Sequence, residues 1–346
     1  MTTQAIRLAL LGAGVIGRQH VHHMRADDSL ALAAIVDPMP VAQAWAAELG
    51  VPWHPDLASL LAAGRPDGVI VATPTQSHVE LGLQCIAAGL PTLMEKPIAN
   101  EVPGATRLVE AAEAAGVPLL VGHHRRHNPL LQPAKQAIDS GRLGRLVAVH
   151  AICWFHKPAG YFAPAWRRAP GAGPILTNII HDIDLLRALC GEVASVQAEE
   201  SSAVRGHAVE DTAAILLRFA SGVLGTVAVS DTVAAPWNWE LTVGENPDYT
   251  QTPESCILLG GTRGSLSLPY LDLWSHAGTP DWMTPIGAER LPTPPGHPLA
   301  LQLRNFAAVI RGTQPPVVSG REGLNTLKVV AAIHQAAATG QTVAIA

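Results

Sequence analysis

The chain has 346 residues, 48% of them apolar and 15% charged, with a formal net charge of -5. This is the composition of a globular protein of two domains, or of one large domain with a smaller partner, and the lack of a basic tract argues against a nucleic-acid partner held through phosphates. No run approaches the roughly 20 apolar residues that span a bilayer, and the stretch before Ile6 lacks the basic segment and apolar core of a secretory leader.

In chain order, Ile6 to Leu11 reads as a strand, followed by a glycine turn and a helix through about Met24. Leu30 to Asp37 is a second apolar run, and Pro40 to Leu49 has helical spacing. Gly68 to Ala72 is a third strand, leading through Thr73-Pro74 into a helix that ends near Gly89. Pro91 to Glu95 reads as a strand, Glu101 to Ala115 as a helix, and Pro118 to Gly122 as a strand. Continuous apolar strands alternating with helices predict an α/β Rossmann domain, a parallel doubly wound sheet covered on both faces, over residues 1–122.

Beyond Pro129 the pattern changes. A helix near Leu130 to Ser140 precedes a strand near Leu146 to Phe155, a Pro/Gly/aromatic loop over Lys157 to Pro174, and a helix over about Thr177 to Leu189. Strand-like runs follow at Val193 to Ser201, Thr212 to Phe219 and Val223 to Ser230. A further hairpin is expected from Cys256 to Gly260 and Ser265 to Leu268, with Gly261 to Gly264 as its turn. Tyr270 to Pro298 reads as a long loop, and helices near Leu299 to Arg311 and Glu322 to Thr339 close the chain. Strands arriving in hairpins predict an α+β domain with a mainly antiparallel sheet over 123–346, its last helices free to pack back on the first domain. Cys85, Cys153, Cys190 and Cys256 form no CxxC pair and read as reduced thiols of a cytoplasmic protein.

Gly12-Ala-Gly14-Val15-Ile16-Gly17 fits G-x-G-x-x-G between a strand and a helix, the context that gives this pattern meaning. Gly12 allows the tight turn, Gly14 the approach of a pyrophosphate, and Gly17 close packing of helix on strand, while the helix N-terminus faces the phosphates. Asp37 ends the second strand about 20 residues beyond Gly17, where a carboxylate accepts from ribose hydroxyls and repels a 2′-phosphate. No arginine or lysine follows it, so the expected cofactor is NAD, with NADP less favoured.

Lys96, in Glu95-Lys96-Pro97, follows a strand of the parallel sheet at the edge where open α/β folds bind ligands. There a lysine can hold a reacting oxygen and move a proton; the plainer alternative is a surface lysine beside a turn. His181 follows the glycine-rich Gly171-Ala-Gly-Pro-Ile-Leu-Thr177-Asn178 stretch, with Thr177 four residues before it on one helix face. A histidine suits taking a proton from an alcohol as hydride leaves, although a packed histidine fits the same pattern. Tyr161, Trp166, Arg167 and Arg168, with His156 and Lys157 upstream, could grip a carboxylate or stack on a sugar ring, or form a solvated loop. His20, His22 and His23, and His123, His124 and His127, lack carboxylate or cysteine partners at ligand spacing and read as packed or solvated, with no metal expected.

Taken together, the glycine turn, Val71-Ala-Thr73-Pro74 with His78, Glu95-Lys96-Pro97, Val121-Gly-His-His-Arg125-Arg and the glycine-rich approach to His181 resemble the glucose–fructose oxidoreductase/inositol dehydrogenase (Gfo/Idh/MocA) family over essentially the whole chain. The resemblance implies a Rossmann domain joined to an open antiparallel sheet domain, often assembled as homodimers or homotetramers through the sheet. It implies hydride transfer at a secondary alcohol of a sugar, cyclitol or related polyol, with Lys96 and His181 handling the proton. Cofactor contacts are then expected at Gly12, Gly14, Val15, Ile16, Gly17, Asp37, Thr73, Pro74, His78, Glu95, Lys96 and Arg125. Substrate contacts are expected at Lys96, Arg125, Tyr161, Trp166, Arg167, Thr177, Asn178 and His181. The family commonly has an aspartate where Thr177 stands, so His181 should be a weaker base and Lys96 carry more of the proton transfer. Two other readings stay open: a dehydrogenase of carboxylated cyclic dihydrodiols, suggested by Arg167-Arg168, and a dinucleotide-binding sensor without turnover.

Overall fold

The structure is a computed structural model and describes residues 4–345; Met1 to Thr3, part of the stretch read above for a leader, and Ala346 lie outside them. The chain divides into two compact units, one of residues 1–127 with 296–327 and the other of 128–295 with 328–346.

The first unit runs β1 (Ile6–Leu11), α1 (Val15–Arg25), β2 (Leu30–Val36), α2 (Pro40–Leu49), β3 (Trp53–His54), α3 (Leu57–Ala63), β4 (Gly68–Val71), α4 (His78–Ala87), β5 (Thr92–Met94), α5 (Val102–Ala115) and β6 (Leu119–Val121). The strands pair in parallel in the order β3-β2-β1-β4-β5-β6. This is the doubly wound dinucleotide-binding order, whose chain reversal lies between β1 and β4. Every residue of β4, β5 and β6 is buried, as strands covered on both faces must be. The sequence reading leaves 53–63 unassigned: β3 is two half-buried residues long and α3 only seven residues, too short for a periodic signal.

The second unit opens with α6 (Leu131–Asp139) and β7 (Leu146–Trp154), then a loop leading to a π-helical turn (Ile175–Ile179) that continues as α7 (Ile180–Cys190). It goes on through β8 (Val193–Ser201), β9 (Thr212–Phe219), β10 (Leu224–Ser230), α8 (Trp239–Val243), β11 (Ile257–Gly261), β12 (Gly264–Leu268), β13 (Asp272–Ser275) and β14 (Gly287–Arg290). After α9 (Pro298–Ile310) and α10 (Gly320–Thr339) the chain ends on β15 (Val343–Ala344). The second sheet has the order β14-β13-β12-β11-β7-β10-β9-β8-β15, and among the described residues its one parallel pair is β7 with β10. Burial alternates along β9 and β10, so one sheet face carries the core with α7 and the end of α10.

Two expectations are corrected. The stretch from Tyr270 to Pro298 contains β13 and β14 rather than a continuous loop; β14 is exposed throughout, so it has no burial pattern to read. The helix expected from Thr177 is a π-turn before an α-helix, a form that appears frequently at functional sites. In the first unit, Leu303, Phe306 and Ala307 of α9 share a buried cluster with Leu8 and Leu10 of β1 and Val21 and Met24 of α1. No helix among the described residues is long and apolar enough to cross a membrane.

Candidate functional site

In the first unit the three glycines at the junction of β1 and α1 are required for different reasons. Gly12 has φ +99, and a Cβ there would lie 2.6 Å from the Ala72 carbonyl oxygen. A Cβ on Gly17 would lie 2.2 Å from the Gly12 carbonyl oxygen, so helix and turn meet backbone to backbone. At Gly14 nothing lies within 4 Å, so the turn leaves open space where a ligand could approach the backbone. Gly14 is also the N-cap of α1, with no side-chain cap and no acidic residue in the first turn. The amides at Val15, Ile16 and Gly17 therefore begin a helix whose positive end suits a diphosphate. These features fit a dinucleotide.

Asp37 sets this cradle. Its Oδ2 accepts from the Ala13 amide at 2.9 Å and its Oδ1 from the Met39 amide at 2.9 Å, tying the end of β2 to the glycine turn. A carboxylate oxygen has two lone pairs, so both can still accept from ribose hydroxyls. On the other side of β1, the Ser77 hydroxyl donates to Thr73 Oγ1 at 2.7 Å, closing the Thr73-Pro74 turn. His78, buried, has Nε2 2.9 Å from the Thr73 carbonyl oxygen and Nδ1 2.9 Å from that of Pro97. Burial pushes its pKa down against the pull of both carbonyls and Glu95. His78 thus braces two loops, and its ring nitrogens face main chain.

Glu95 is buried at the end of β5, its Oε1 2.7 Å from His20 Nε2 and its Oε2 accepting from the Lys96 amide at 3.2 Å. A Cβ on Gly122 would come within 2.9 Å of this carboxylate, so the glycine after β6 makes room for it. Burial alone would raise the Glu95 carboxyl; the His20 hydrogen bond, with the charges of His20, His124 and Lys96, holds it below the usual range. Lys96 follows, half-buried, and Arg125 lies after β6 with 2% exposure. The spacing of α1 brings His20 to Glu95, a partner that the sequence, in which His20 reads as packed or solvated, does not signal. His23, stacked on His297 at 4.0 Å, is pushed down to about 4 by burial and by His297, His22 and His20.

In the second unit the glycine-rich stretch turns at Gly171, φ +87, and a Cβ on Gly173 would fall 2.1 Å from the Glu210 carboxylate. Glu210 Oε1 accepts from the Ile175 amide at 3.0 Å, so a buried carboxylate caps the π-turn, and burial raises its pKa. Thr177 Oγ1 lies 2.8 Å from the Gly173 carbonyl oxygen, 3.0 Å from Asn178 Oδ1 and 3.3 Å from Lys157 Nζ. His181 follows one turn on, 5% exposed. Tyr161 joins the group: Lys157 Nζ lies 5.0 Å from its ring centre and Arg167 Cζ 4.0 Å, with Arg167 donating to the Tyr161 carbonyl oxygen at 2.8 Å. Trp166 is 61% exposed and Arg168 is exposed.

The second unit therefore carries Tyr161, Arg167, Thr177, Asn178 and His181 together with Lys157 of the same loop, and adds Glu210. Glu210 lies far from Ile175 in sequence, and no spacing links them. Among the described residues, Glu200, Glu210 and His334 also bring ligand-type atoms within 4.8 Å of one another, a grouping no local motif signals.

Residues 6–123 match the sequence profile of an oxidoreductase family with an NAD-binding Rossmann fold, and residues 131–267 match the Gfo/Idh/MocA C-terminal domain. The chain is 33% identical to inositol 2-dehydrogenase 2 of Saccharopolyspora erythraea, over 65% of this chain and 66% of that protein, just under two thirds of its length. It is 30% identical to 1,5-anhydro-D-fructose reductase of Ensifer adhaerens, over 98% of both chains. Among solved structures, the WlbA dehydrogenase of Bordetella pertussis, in complex with NADH and UDP-GlcNAcA, is similar with a TM-score of 0.79 and 28% identity, over 99% of both chains.

Proposed function

As the chain belongs to the Gfo/Idh/MocA oxidoreductase family, with an NAD-binding Rossmann domain, we propose that it oxidises or forms a secondary alcohol on a sugar, cyclitol or related polyol. The observation that carries this reading is the pairing, within one chain, of an uncapped glycine-turn cradle braced by Asp37 with a helix presenting Thr177, Asn178 and His181. The relatives named above act on an inositol and an anhydro sugar, which supports a polyhydroxylated substrate.

In this reading the α1 amides from Val15 to Gly17 hold the cofactor pyrophosphate and Asp37 accepts from the adenosine ribose. Bound NAD supplies the hydride acceptor, and NADH the donor in reverse. Lys96 holds the reacting oxygen by charge and hydrogen bonding. His181 takes the hydroxyl proton as the C–H bond gives up hydride, so that alcohol becomes carbonyl, and returns it in reverse. Thr177 brings no carboxylate to His181, so His181 is the weaker base and Lys96 carries more of the proton transfer. Thr73, Pro74, His78, Glu95 and Arg125 shape the cofactor side, and Tyr161, Trp166 and Arg167 the substrate side.

The reading includes a reducing, cytoplasmic setting, supported by four buried cysteines of which none is in a disulfide, and assembly as a homodimer or homotetramer. Screening sugars, cyclitols, polyol acids and dihydrodiols for NAD reduction tests the activity. NADH formation with a polyol is expected. Tight NAD binding with no turnover on any compound would favour a sensor instead.

A further inference from the structure

We propose that Lys157 is the specificity-determining residue of the substrate half, and that it receives a carboxylate carried by the sugar or polyol. The inference rests on the reading above, in which the second unit holds the alcohol beside His181.

Lys157 is 6% exposed, and a buried ammonium is costly unless it is paired. Its Nζ meets one neutral acceptor, Thr177 Oγ1, at 3.3 Å, and lies 3.9 Å from Asp231 Oδ2, beyond hydrogen-bond length. Asp231 is already committed: its Oδ1 accepts from Arg205 Nε at 2.5 Å, and Arg205 Nη2 binds the main-chain oxygens of Asp231 and Lys157. One carboxylate thus serves two cations. Glu210 also attracts Lys157, but its Oε1 is held by the Ile175 amide. Burial pushes the Lys157 pKa down despite Asp231, as expected of a cation short of negative partners. An incoming carboxylate would supply that partner.

The position fits the chemistry. Thr177, which Lys157 touches, stands one turn before His181, so an anion on Nζ would lie at the face where the hydroxyls bind. Arg167 is less suited to this role, because it is stacked on Tyr161 and bonded to that residue's carbonyl oxygen. The basic loop residue that is both buried and joined to Thr177 is Lys157.

The test uses the NADH-loaded protein and matched acid and neutral pairs: D-glucuronate with D-glucose, D-galacturonate with D-galactose, and L-tartrate with threitol. Binding is read from NADH fluorescence, apart from turnover. Wild type is expected to prefer the acid of at least one pair, and Lys157→Gln to cut that preference about 10- to 100-fold, as loss of a hydrogen bond to a charged group does. Lys157→Arg, which keeps the charge, should retain most of it. No preference for any acid in wild type, or a preference unchanged in Lys157→Gln, would overturn the assignment. NAD reduction by a neutral polyol alongside that result leaves the dehydrogenase reading standing. Absence of NAD reduction with every compound overturns the dehydrogenase reading, while the binding ratios still decide Lys157.

Discussion

His20 Nε2 lies 2.7 Å from Glu95 Oε1, with the histidine fully buried and the glutamate nearly so. The pair joins α1, which begins at the glycine turn, to the residue before Lys96. The helix that begins at the glycine turn thus fixes the start of the lysine turn through its second turn.

Breaking that pair should be costly. His20→Ala leaves a buried carboxylate without its main partner and is expected to lower stability by ~3 to 5 kcal/mol, read by chemical denaturation. Glu95→Gln should cost less, since an amide can still hydrogen-bond to the ring. A surface-like loss below ~1 kcal/mol in His20→Ala would show that the pair contributes little.

The same pair has a pH signature. The Glu95 carboxyl is held below its unfolded value of about 4.5, so its contribution is present above that pH and is lost as pH falls through the folded value. Thermal stability of wild type should therefore decline below about pH 4.5 more steeply than that of Glu95→Gln. Parallel pH–Tm curves for the two proteins would contradict this.

The glycines should separate folding from binding. Gly12→Ala and Gly17→Ala force a Cβ against backbone at 2.6 and 2.2 Å and are expected to lose ~1 to 3 kcal/mol of stability. Gly14→Ala meets nothing within 4 Å and should stay folded while weakening NADH binding about tenfold or more. Equal NADH affinity in Gly14→Ala and wild type, by titration calorimetry, would place the pyrophosphate elsewhere.

Asp37→Ala removes two acceptors from the turn and the charge that opposes a 2′-phosphate. NADH affinity is expected to fall about tenfold, with NADPH affected less, so the ratio of their dissociation constants moves toward unity.

Much of this was legible in the sequence, for physical reasons. Strands buried on both faces leave continuous apolar runs, so β1, β2, β4, β5 and β6 stood out. The glycine turn showed because backbone contact at Gly12 and Gly17 admits no side chain. Short or fully exposed elements such as β3 and β14 carry no periodic burial, and nothing in Ile175 to Ile179 announces a π-turn. Partners distant in sequence were hidden as well: His20 reaches Glu95, Glu210 caps Ile175 and Lys157 meets Thr177 only once the chain has folded.

The central claim is that this chain moves hydride between a polyol carbon and NAD, with Lys96 and His181 handling the proton. The most direct measurement follows deuterium from the carbinol carbon of the best polyol in the screen into NADH, by mass spectrometry. One deuterium per NADH formed is expected, with the rate falling about 100- to 10,000-fold in His181→Ala and in Lys96→Ala. NADH carrying no label, or near-normal turnover in both variants, would contradict the account.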